Sequence, residues 1–346
     1  MGLIPCYRAT LLRPYLDLFR EIGAPMKREW RRAGLPALLA DRDDFYLPKL
    51  PILDFLDSMA RQEDIDELPV RVLGRLEISD LSEQFLARAS RAPTLKLALE
   101  SFRELAPVED PHVEFSIIQG ETTVKLCMQN HFPLNARNQY FQDWNELLVM
   151  VAIVRAFAGP SWQPTEMAIR STVRPGRYAE EQFPNTHFLT GQKVTSITVP
   201  YELLSSPLRV ALNVYQSQVG QVAPRPCTTD FQINVGNSLK AVLSPYLPER
   251  IPGIDLAAEM AATSVRTFQR RLKESGLSYS DLVGELRFET AARLLRETDT
   301  TALEIALEVG YEDPSHFSRA FKRLAGISPR EYRRQPWLYK TGPDQQ

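Results

Sequence analysis

Apolar residues recur along this chain at two spacings, and the changes between them divide it into parts. Leu12, Tyr15, Leu16, Phe19 and Ile22 fall three or four apart, which predicts a helix over 11–22 with Gly23 closing it. Pro25 opens a second helix that carries Trp30 and stops at Gly34. Helical spacing returns over 50–61 and over 95–105, the latter entered through Pro93-Thr94. The period then drops to two. Val113-Glu114-Phe115-Ser116-Ile117 and Val124-Lys125-Leu126-Cys127-Met128 alternate as half-buried strands do, with Gly120-Glu121 as the turn between them. A long helix is predicted over 140–158, ended by Gly159-Pro160. Strands follow at 167–170 and 194–199, with short helical pieces near Glu180 and Leu208. Residues 1–220 therefore read as an α+β domain. Val222-Ala223-Pro224-Arg225-Pro226-Cys227 marks a linker over 221–229, and a short helix near Leu239 begins an all-α domain over 230–346.

Within that last domain the same pattern occurs twice. Ile254, Ala257, Ala258 and Ala261 form an i, i+3, i+4, i+7 stripe, and Ala302, Ile305, Ala306 and Val309 repeat it. Ala258 and Ala306 take the same slot, where a small side chain lets a second helix cross closely. That second helix buries Phe268 and Leu272 in one copy, and Phe317 and Phe321 in the other. Ser264 caps the first, and Asp313-Pro314 supplies a cap and first-turn proline to the second. Matching exits follow, Gly276-Leu277-Ser278 and Gly326-Ile327-Ser328. Between the units (252–276 and 301–326) residues 279–296 predict one connecting helix with Leu282, Leu286, Leu294 and Leu295 inward. Two helix-turn-helix units on a rigid connector are the arrangement of a duplex-DNA reader, entering successive major-groove segments roughly 10 bp apart.

Charge refines this. The chain of 346 residues has a formal net charge of −2, so any basic surface must be local. It is. The outward positions of the two second helices are Ser264, Arg266, Thr267, Gln269, Arg270 and Lys273 in one unit, and Ser315, His316, Ser318, Arg319 and Lys322 in the other. Arg, Gln and His suit base edges, and Lys, Ser and Thr suit phosphates. Acidic residues gather elsewhere, at Glu259, Asp281, Glu285, Glu289, Glu304, Glu308 and Glu312.

Enzyme chemistry finds no foothold. His112, His131 and His187 are scattered without metal-ligand spacing, and no phosphate-cradling glycine loop or nucleophile elbow occurs. No cofactor is expected. The three cysteines, Cys6, Cys127 and Cys227, are odd in number and unpaired by motif, as suits a reducing compartment. An alkyl-transfer repair role requires an activated cysteine, yet Cys227 is followed by Thr228-Thr229 and lacks a neighbouring His or Arg. No leader, lipidation signal or membrane-length apolar run is read, so a cytoplasmic protein is expected. In the front domain, Tyr140, Phe141 and Trp144 share a helix as candidates to line a ligand pocket, with core packing as the competing role.

Residues 250–335 resemble the DNA-binding domain of AraC/XylS-type transcription regulators. The likeness rests on Thr267-Phe268-Gln269-Arg270-Arg271-Leu272, Leu286-Arg287-Phe288, Ala291-Ala292-Arg293-Leu294-Leu295, Ile305-Ala306-Leu307-Glu308-Val309-Gly310-Tyr311, Phe317-Ser318-Arg319-Ala320-Phe321-Lys322 and Gly326-Ile327-Ser328-Pro329. The order of elements in front, with Ala92-Pro93-Thr94-Leu95-Lys96-Leu97-Ala98-Leu99, resembles the arabinose-binding-like effector domain of one branch of that family. Two departures, Gly253 where a capping side chain is usual and Ala261 where a larger apolar residue is usual, imply a weaker first unit. The resemblance implies double-stranded DNA as partner, a small-molecule effector, a homodimer as one assembly, and RNA polymerase as a further partner if the protein activates. A DNA binder that is architectural or independent of any effector is the alternative.

Overall fold

A computed structural model describes residues 4–36, 45–209 and 235–334. The expected linker at 221–229, Cys227 included, lies outside them. The front domain comprises β1 (Cys6–Arg8), α1 (Arg13–Glu21), α2 (Met26–Arg32), β2 (Tyr46–Pro48), α3 (Lys49–Gln62), α4 (Leu68–Arg71), α5 (Glu83–Ala89) and α6 (Leu95–Glu109), followed by β3 (Val113–Gln119), β4 (Thr123–Asn130), α7 (Ala136–Ala158), β5 (Glu166–Ala168), α8 (Arg177–Gln182), β6 (His187–Leu189) and β7 (Thr195–Pro200). Five strands form one sheet in the order β3-β4-β7-β5-β6, antiparallel except for the β5–β6 pair. This is the α+β class expected.

Most of the predicted elements form. α1 buries Tyr15, Leu16 and Phe19, and Leu12 just before it is buried too, but Ile22 lies past its end and is exposed. The β3–β4 hairpin closes through a Gly120 N–H donating to the Thr123 carbonyl. No helix forms at Leu208; a 3-10 turn at Tyr201–Ser205 stands before it. β6, α4, α5 and the β1–β2 pair carry too little periodicity to be read in advance. α7 is apolar on nearly every face over 147–158 and is buried along most of its length. It is the central helix of the domain, packed against β7 and flanked by α3 and α6.

Several of the polar groups that enter this core are paired. Lys49 is fully buried, 2.6 Å from Asp110 and over the Tyr7 ring at 4.6 Å. Asp110 also accepts from the His112 backbone and from Gln142, while Gln142 donates to Glu146 at 2.8 Å. Asp143 accepts from Ser171 N, Gln139 and Thr195. Burial pushes Glu146 up to about 7.

The rear domain is helical: α9 (Val235–Leu243), α10 (Ile254–Met260), α11 (Val265–Glu274), α12 (Tyr279–Glu297), α13 (Ala302–Glu308), α14 (Pro314–Ala325) and α15 (Pro329–Arg334). The two-stranded ribbon β1–β2 belongs to both domains. Tyr7 and Leu47 stand opposite each other and pack into the front core. Ile4, Cys6 and Tyr46 project from the other face into the core of the rear domain, beside Leu239, Val242 and Leu243 of α9. Strand alternation thus gives each domain one face of the ribbon.

Candidate DNA interface

The two units are built as the stripes predict. In the first, Ala257, Ala258 and Ala261 are buried under α11, whose Phe268 and Leu272 close the contact. In the second, Ile305, Ala306 and Val309 lie under Phe317 and Phe321 of α14. Ile254 and Ala302, the first position of each stripe, are only half-buried. The entry to α11 is fixed by Ser264, which accepts from Thr267 N. Asp313 does the same for α14 through Ser315 N, and those bonds hold its carboxyl below the usual range. Both second helices leave through a glycine in left-handed conformation, Gly276 at φ +72° and Gly326 at +77°.

The connector α12 clamps both units. Tyr279 at its start donates to the Pro252 carbonyl at 2.6 Å and meets Phe268 edge-on. Further along, the Arg287 guanidinium lies over the Tyr311 ring at 4.9 Å, and Phe288 packs on Phe321. At its end, Arg296 donates to the Tyr332 hydroxyl of α15 at 2.7 Å. α9 is tied to the same helix, with Lys240 3.0 Å from Glu285 and 2.6 Å from Glu289. The connector thereby fixes the two units relative to each other.

On α11, Ser264, Arg266, Gln269, Arg270 and Lys273 are exposed, and Thr267 is half-buried because its hydroxyl receives the Ser264 hydroxyl. On α14, Ser315, His316, Ser318, Arg319 and Lys322 are all exposed. The structure therefore gathers the predicted residues onto the outer faces of two helices. It adds one feature that sequence reading passed over. Arg270 is 2.6 Å from Glu274, one turn on, so the most central cation of α11 has an acidic competitor on its own helix. His316 sits 3.7 Å from Asp313 in the same way. The (i, i+4) spacing of Arg270 and Glu274 was the available signal. Arg271, although on α11, lines a crevice with His112 and His131 of the front domain rather than joining the set above.

The front-domain candidates separate. Tyr140 and Phe141 line a cavity of about 490 Å³ with Asp57, Asp64, Glu67 and Arg137. Trp144 does not reach it; the ring is fully buried and packs against Tyr140 and Phe188. As a pocket residue it is a miss, because a position one turn along α7 already faces the core. Burial, with the Glu67 carboxylate nearby, pushes the Tyr140 hydroxyl up to about 12. Among the described residues no helix is long and apolar enough to cross a membrane.

A family model described as a helix-turn-helix domain matches residues 257–335. Along nearly its whole length the chain is similar to the HTH-type transcriptional regulator VirS of Mycobacterium tuberculosis, 24% identical over 337 residues, 94% of this chain and 96% of the relative. It is likewise similar to the ornithine utilization regulator of Pseudomonas aeruginosa, 25% identical with 96% and 97% covered. Over 98 residues it is 37% identical to the HTH-type transcriptional activator RhaS of an Enterobacter species, 28% of this chain and 35% of that one. Two helix-turn-helix units on one connector, together with these likenesses, identify residues 257–335 as a helix-turn-helix domain of the AraC type.

Proposed function

We propose that the protein reads a specific operator by placing α11 and α14 in two successive major-groove segments. The single observation that supports this most is the pair of similarly capped, outward-facing helices locked to one connector. In this reading Arg266, Gln269 and Arg270 meet bases over one half of the site, and His316 and Arg319 over the other. Ser264, Thr267, Lys273, Ser315, Ser318 and Lys322 hold phosphates. Residues 230–346 are the DNA-binding domain, 221–229 the linker, and 1–220 the sensor and dimer-forming domain. Its ligand is a small molecule held in the cavity walled by Tyr140 and Phe141, of a size such sites usually have.

Footprinting of the full-length protein tests the two-segment reading. Replacing Arg266 and Arg270 by Ala weakens binding and relaxes sequence preference over one half-site. Replacing His316 and Arg319 does so over the other, by about 1–3 kcal/mol for each base-contacting side chain removed. A footprint confined to one groove segment, unaltered by either pair, overturns it.

A further inference from the structure

The two outward-facing helices align residue for residue, with Phe268 and Leu272 of α11 matching Phe317 and Phe321 of α14. Arg270 then matches Arg319, and the position four further on holds Glu274 in one helix and Arg323 in the other. Arg266, Arg270 and Glu274 run along one exposed stripe of α11, spaced at i, i+4 and i+8. Ser315, Arg319 and Arg323 run along the matching stripe of α14 and are exposed as well. The first stripe reverses sign at its end; the second does not. α14 contains no acidic residue.

The reversed charge acts on one side chain. Arg270 Nη1 lies 2.6 Å from Glu274 Oε1, and both side chains are more than half exposed. Arg319 forms no ion pair among the described residues. The acid that opens the second unit, Asp313, accepts from Ser315 N at 2.7 Å and lies 3.7 Å from His316; it attracts Arg319 without pairing with it. Helix stability does not account for Glu274. It is the last residue of α11, where the helix dipole favours a cation. An Arg-to-Glu order is also the weaker of the two for an (i, i+4) pair.

We propose that Glu274 sets the strength of the DNA interface by holding Arg270 away from the duplex, which makes α11 the weaker half of a reader anchored by α14. The inference rests on the DNA-reading proposal above. Arg270 must leave Glu274 before it meets a base, and that cost has no counterpart at Arg319. Glu274 also borders a crevice of about 480 Å³ that α11 forms with His112, His131 and Phe132 of the front domain, and Arg271 lines the same crevice. A rearrangement at this boundary that draws Glu274 towards Arg271 releases Arg270. The half-site held more weakly is therefore also one that the front domain can reach.

The test is anisotropy titration of the full-length protein on duplexes that it selects from a random-sequence library. Glu274→Gln should bind them about two- to fivefold tighter, the span of an exposed ion pair. That gain should vanish in an Arg270→Ala background, which a purely structural role for Glu274 or a general loss of repulsion from phosphate would not produce. In hydroxyl-radical footprints of the parent protein, rising salt should strip the half-site mapped by Arg266→Ala and Arg270→Ala before the other, and Glu274→Gln should narrow the gap. Affinity unchanged or lowered by Glu274→Gln overturns the proposal, as does a gain that survives undiminished beside Arg270→Ala. Loss of both half-sites at the same salt overturns it too. A footprint altered neither by the Arg266 and Arg270 pair nor by the His316 and Arg319 pair counts instead against the DNA reading itself.

Discussion

Ala262 and Gly310 occupy the same turn in the two DNA-reading units, and both adopt a left-handed backbone, at φ +48° and +78°. An L side chain is strained there and glycine is not. Ala262→Gly should therefore stabilise the first unit by about 1 kcal/mol, despite the greater freedom glycine gives the unfolded chain. Gly310→Ala should cost more than that. Its added Cβ would stand 2.8 Å from the Leu247 carbonyl oxygen, so backbone must move as well as strain be borne. Denaturant titration of the two variants, followed by a probe of helix content, should give midpoints shifted in opposite directions. A midpoint for Ala262→Gly at or below that of the parent would show that the turn is not strained.

At the scale of elements, the units differ at their first helices. α13 opens with a reciprocal capping box, Thr301 accepting from Glu304 N while Glu304 accepts from Thr301 N. α10 opens at Gly253, with no side-chain cap. Thr301→Ala should lower stability by about 1 kcal/mol, whereas Gly253→Asp should raise it by only a few tenths, because glycine is itself a tolerable cap. Thermal melts of the two variants would show this asymmetry, and equal and opposite shifts would contradict it. The missing side-chain cap of the first unit was legible in the sequence at Gly253, but the positive φ at Ala262 was not, since alanine gives no local sign of one. Long periodic helices such as α7 and α12 were legible for the opposite reason, because their burial repeats over many turns. β6 and the ribbon, three residues to a strand, exist only through partners distant in sequence. Likewise Tyr140, Phe141 and Trp144 share a helix, and only packing against Phe188 decides which of them leaves the cavity.

Across the whole molecule, carboxylates are displaced in both directions, so acid and neutral pH act on different groups. Glu304, Asp313 and Glu331 are held below the ordinary range, chiefly by backbone N–H donors at helix starts. Their contribution is present above the ordinary carboxylate range and lost as pH falls through their lowered values. Glu146 is displaced the other way. Its contribution is full below the ordinary carboxylate range and is lost as pH rises towards about 7, a change on the order of 3 kcal/mol in the front domain. Hydrogen exchange at a series of pH values should show front-domain protection declining between mildly acidic and neutral pH. Glu146→Gln should flatten that decline; an unchanged profile would exclude Glu146 as its source. Deleting residues 1–220 should leave operator binding in place but abolish response to any effector. It should also lower the melting temperature of what remains, because Ile4, Cys6 and Tyr46 no longer cover α9. The same packing governs the order of events during synthesis. Cys6 is made before the rest of the front domain, yet the helix that covers it is made only after all of that domain. One face of the ribbon must wait, apolar and open, until α9 arrives. The rear domain therefore reaches its final stability only with the ribbon already in place, and a nascent chain stalled before residue 235 would be the species most prone to associate with its neighbours.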